Sequence, residues 1–139
     1  MSDETARALL SGFISGAAAA LVSTFVMLVL LSRSSVWQRL PENRRVPMPL
    51  VGVVFVNLMM LLWTAAGLIL GALYLHFASG RAEDNALVPH LEFSLVVTAV
   101  IGIALATAAV IRGRLGTIAP LLALIAHLAF AWMLPNLAR

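Results

Sequence analysis

Polar and apolar positions divide the chain into four long apolar runs, at residues 8–31, 50–74, 93–111 and 118–134, joined by three short polar stretches. At 1.5 Å per residue, runs of about 17–25 apolar residues cross a hydrocarbon core of ~30 Å. None of the four contains Asp, Glu, Lys or Arg. The pattern predicts an all-α integral membrane protein, with four transmembrane helices in an antiparallel bundle forming one domain over residues 1–139.

Within the runs, the small residues are not scattered. Gly12 and Gly16 lie four apart, with Ala20 one turn on, and Gly67 and Gly71 repeat the spacing in the second run. Such stripes let another helix backbone approach closely, a common packing device in lipid. In the first connection, Val36, Trp37 and Leu40 predict a short interfacial helix ending at Pro41. Pro47 and Pro49 mark the start of the second helix, and Pro120 is placed in the first turn of the fourth. Tyr74, His76 and Trp132 fall where an aromatic belt is expected.

Composition agrees with the bilayer: 62% of residues are hydrophobic, 11% are charged, and mean hydropathy is +1.02. The net charge of +3 comes from nine basic residues, all Arg, and they sit in connections and termini. A nucleic-acid partner would need a clustered basic surface, so none is expected. The connections carry four, one and two Arg in order: Arg33, Arg39, Arg44 and Arg45; Arg81, beside Glu83, Asp84 and Glu92; then Arg112 and Arg114. Arg-rich loops stay inside, which predicts an N-out/C-out, multi-pass protein of a prokaryotic cytoplasmic (inner) membrane. Asp3 and Glu4 stand where a cleaved signal would be basic, so the first run reads as a retained span. With no Cys, thiolate metal sites, disulfides and Cys nucleophiles are excluded.

Candidate chemistry is sparse. His127 falls about 15 Å into the fourth run, near the bilayer midplane. It reads either as a neutral His bonded to Thr98, Thr107 or Asn57, or as a ligand for haem or a chlorophyll-type pigment, a proton relay or an ion-path residue. Asn57 is expected as buried polar glue between helices, with pore lining as the other reading. His76, His90, Glu83, Asp84 and Glu92 match no metal-ligand spacing and read as a solvated acidic loop with interfacial His, so no metal is expected. Arg33, Arg39, Arg44 and Arg45 suffice to set topology, and a lipid headgroup or a phosphate is the further role open to them. Small four-helix multidrug exporters are similar in size but rely on a membrane-embedded carboxylate, which every span here lacks. Neither a phosphate-binding Gly-rich loop nor His-Glu-x-x-His occurs.

Two functions remain. The first is a small non-enzymatic accessory or assembly subunit of a larger membrane complex, whose partners are the lipid bilayer, other subunits or further copies of itself. It is motivated by more close-packing surface than one bundle needs. The second is a self-contained homo-oligomeric transporter or channel, or a pigment-binding protein, built around His127, Asn57 and the two Thr.

Overall fold

The computed structural model describes residues 3–39, 41, 46–79, 88–110 and 115–138. Helix α1 covers Asp3–Ser32, α2 Ser35–Arg39, α3 Met48–Ser79, α4 Val88–Val110, α5 Leu115–Ala126 and α6 Leu134–Ala138. A π-helical segment, His127–Met133, joins α5 to α6 in one rod. Four of these units are long and apolar enough to cross a membrane: α1, α3, α4 and the α5–α6 rod. The protein is an all-helical, multi-pass membrane bundle.

The helices run past the apolar runs that announce them. The first begins at Asp3 rather than residue 8, with Asp3 and Glu4 in its first turn, where acidic groups favour the positive end of the helix dipole. The third begins at Val88 rather than residue 93, which places His90 and Glu92 on a helix and not in a loop. Pro89 accounts for that start, because a first-turn Pro lacks only an amide hydrogen that has no intrahelical acceptor. The fourth begins at Leu115, so Pro120 lies in its second turn and gives no hydrogen to the Gly116 carbonyl.

Helix α1 is built with small side chains inside and large ones outside. Every buried residue of α1 is Ala, Gly, Ser or Thr, whereas Leu10, Phe13, Leu21 and Phe25 face outward. In lipid the tails are as apolar as Leu, so burying Leu gains little, while a small face allows close backbone contact. Antiparallel α1 and α3 use this fully. A Cβ on Gly12 would stand 2.9 Å from the Gly67 carbonyl carbon, and one on Gly16 would stand 2.8 Å from the Thr64 Cα. Across the same contact, a Cβ on Gly71 would reach the Ala8 carbonyl oxygen at 2.5 Å. None of these positions has room for a side chain.

The α5–α6 rod lies against α1 on one side and α4 on the other, and α3 touches α4 more lightly. Three successive residues of its π segment each meet a different helix. Ala129 shares a cleft with Ala18 and Ala19 of α1, Phe130 sets its ring 5.7 Å from that of Trp63 on α3, and the Ala131 carbonyl meets Ser94 of α4. All three are buried. Glu4, Ala8, Tyr74, Ala78 and Ala138 border one cavity, so the start of α1 and the ends of α3 and α6 share one end of the bundle.

Candidate functional site along the α4 seam

His90, Ser94 and Thr98 recur every four residues and therefore share one face of α4. Antiparallel packing sets that face against the π segment. Each of the three has a partner. The His90 Nδ1 lies 2.7 Å from the Tyr74 hydroxyl of α3, and the two rings stack at 5.4 Å. The Ser94 hydroxyl donates to the Ala131 carbonyl at 2.6 Å. The Thr98 Oγ1 donates to the Ser94 carbonyl at 2.7 Å and lies 3.4 Å from the His127 Nδ1. The seam is a ladder of polar groups running about 12 Å along the helix axis, from His90 to the depth of His127.

Its geometry follows from the backbone of the fourth rod. Hydrogen bonds in the π segment reach five residues back, the Leu134 amide donating to the Ala129 carbonyl. Pro135 cannot give an amide hydrogen to Ala131, four residues back. Ser94 supplies the donor from α4 instead. Beside this contact is an open cavity of about 310 Å³, walled by His90, Ser94, Trp132 and Asn136 among others.

Thr98 also bears on His127. Its hydroxyl hydrogen is directed at the Ser94 carbonyl, which leaves Oγ1 able to accept from a protonated His127 Nδ1. In that tautomer Nε2 would keep its lone pair, the form of imidazole that accepts a hydrogen bond or ligates a metal centre. His127 is half-buried, and its ring nitrogens and those of His90 are the groups of the seam that could hold a cofactor. Because Ser94 directs its hydrogen at a carbonyl, it is not set against either histidine as a nucleophile–base pair.

The other expected positions are dispersed. Asn57 is not buried within the chain and joins no two of its helices: it is exposed on α3, where its Nδ2 donates to the Val53 carbonyl of its own helix at 2.7 Å. Thr107 is exposed on α4 and donates to the Ile103 carbonyl at 2.9 Å. The structure joins His127 to Thr98 but not to Asn57 or Thr107. Gly12 and Gly16 meet Gly67, Gly71 and their neighbours within the same chain. Arg33 and Arg39 are exposed, and α2 forms between them over Ser35–Arg39. Arg44, Arg45, Leu40, Glu83, Asp84, Arg112 and Arg114 lie outside the described residues. Among those described, no three His, Asp or Glu side chains gather as a metal-binding group.

Tyr74, His90 and Ser94 are the members that sequence reasoning missed. The spacing of 90, 94 and 98 carried the signal, once Pro89 is read as the start of a helix. Tyr74 is only 6% exposed, with its ring edge-on to Phe93 at 5.2 Å, so it is a buried linker rather than a belt residue. No protein-family model matches the chain, and no curated protein or solved structure matches it.

Proposed function

We propose that this chain is a non-enzymatic subunit of a larger membrane assembly, one that works through its outer, lipid-facing surface. One observation carries the reading: the bundle keeps Gly12, Gly16, Gly67 and Gly71 inside and turns the Asn57 carboxamide outward on α3. An unpaired polar group in hydrocarbon is costly, and neighbouring helices are its usual partners. The support has therefore moved. The Gly stripes that first suggested assembly are used within the chain, whereas among the described residues Asn57 meets no helix but its own. Gly16→Leu consequently tests this chain's own packing and not its assembly. A path through the interior of one chain gains little support, since the buried positions are Ala, Gly, Ser, Thr and aromatic or aliphatic residues.

The first test is the mass and composition of the particle extracted in mild detergent. A particle larger than one chain, containing other polypeptides or further copies, is the expected result. A lone monomer that resists crosslinking in native membranes overturns the reading. A second function, ligation of haem or a chlorophyll-type pigment by His127, is favoured by the Nδ1–Thr98 contact, which would leave Nε2 to a ligand in the tautomer protonated at Nδ1. Visible absorbance of the same particle, lost in His127→Leu, would support it. A colourless particle counts against it.

A further inference from the structure

Within the apolar run of residues 50–74, the face of α3 turned away from the bundle carries one polar residue, Asn57. Val54, Asn57, Leu61, Ala65, Leu68 and Ala72 are all exposed, Leu61 to 69%. Their spacings are three, four, four, three and four, so each residue recurs eleven positions on: Val54 with Ala65, Asn57 with Leu68, Leu61 with Ala72. An eleven-residue repeat is about 3.67 residues per turn, close to the 3.6 of a straight helix. The stripe therefore stays on one side of α3 along its length. It also alternates large and small residues, as a helix seam in lipid requires.

Asn57 lies about 10 Å along the axis from Leu50, where the apolar run begins. A core of ~30 Å centred on the run encloses it. One of its amide hydrogens goes to Val53, and among the described residues its other hydrogen and its Oδ1 have no partner. Such a group calls for a donor and an acceptor at one depth on a neighbouring helix.

We propose that a second copy of this chain packs along this stripe, with the two Asn57 side chains paired across a two-fold axis parallel to the membrane normal. The inference rests on the subunit reading and names the partner at α3. Two copies inserted in the same sense place their α3 helices parallel. A two-fold axis along the normal then sets each residue against itself, and Asn57 meets its own kind at equal depth. A carboxamide is self-complementary, each Oδ1 accepting from the other Nδ2. A single amide in an apolar seam also fixes register, because any slip leaves both amides in hydrocarbon.

The chain has no Cys, so single-Cys variants report one position at a time. Leu61→Cys lies on the stripe, and Leu62→Cys is exposed on α3 but off it. On oxidation in native membranes, Leu61→Cys is expected to give a species of twice the chain mass and Leu62→Cys little. Adding Asn57→Leu should lower the Leu61→Cys yield about fivefold or more, and Asn57→Gln, which keeps the amide, should retain most of it. Because Asn57 is on the outside, each variant should still elute as a folded particle, which size-exclusion chromatography checks. Equal crosslinking at 61 and 62, or no response to Asn57→Leu, overturns the proposal. If neither site crosslinks and the extracted particle holds one copy among other polypeptides, the pairing is wrong and the subunit reading stands. If neither crosslinks and the particle is a lone monomer, both fall.

Discussion

The two halves of the bundle solve the same problem by different chemistry. Helices α1 and α3 meet through backbone, with glycine against glycine and no room for a side chain. Helix α4 and the α5–α6 rod meet through hydrogen bonds, Ser94 to Ala131 and Thr98 to His127. The first contact gains from dense van der Waals packing, and shape sets its tolerance. The second gains from satisfying polar groups where water is absent, and donor count sets its tolerance. A single side chain added to the first should therefore harm it more than a single hydroxyl removed from the second.

That contrast can be broken most directly at Gly12. Gly12→Leu forces its side chain into the Gly67 backbone, and a loss of roughly 3 kcal/mol or more is expected, read as failure to recover a monodisperse particle in mild detergent. Gly102→Leu is the control, since no described residue lies within 4 Å of a Cβ there, and it should melt within a few degrees of the parent. If both variants behave alike, the close contact does not govern stability. The polar half should respond more mildly. Ser94→Ala removes the donor to Ala131 and should cost about 1 kcal/mol in detergent thermal denaturation. Pro135→Ala returns an amide hydrogen to the fourth rod, so the cost of Ser94→Ala should shrink in that background; strict additivity would argue against the compensation. Tyr74→Phe keeps the edge-on contact with Phe93 and loses the bond to His90, for about 1 kcal/mol or less by the same melt. Smallest is Ser15→Ala. The Ser15 hydroxyl is fully buried with no partner among the described residues, so its removal should be neutral or slightly stabilising. A loss above about 1 kcal/mol would mean the hydroxyl has a partner after all.

Much of the architecture was legible in the sequence because length and charge exclusion are strong signals. Four uncharged apolar runs could hardly be anything but spans, and the Gly12/Gly16 and Gly67/Gly71 pairs marked two close-packing faces. That these faces meet each other was not legible, since four-residue spacing says a helix has a small face but not which helix covers it. Direction failed for a related reason. In a soluble helix a lone Asn shows which face is wet, but in lipid the inner and outer faces are equally apolar, so Asn57 could be assigned to the interior although it faces out. The charged residues from Arg81 to Glu92 hid the true start of α4, and with it the Tyr74–His90 pair sixteen residues apart. The π segment left one trace, Pro135, which removes a hydrogen bond without saying how the backbone will respond.

The two kinds of contact also differ in when they can form. As the chain emerges from the ribosome, α1 and α3 are complete once Ser79 has been added, and their mutual contact needs nothing made later. Helix α4 then enters with Ser94 still lacking its acceptor and Thr98 its neighbour across the seam, because Ala131 and His127 belong to the rod translated after it. That rod touches all three earlier spans, so the bundle cannot close before it arrives. A chain stalled before His127 would hold a finished hairpin beside an unsettled third helix, the form in which a membrane quality-control protease would meet it.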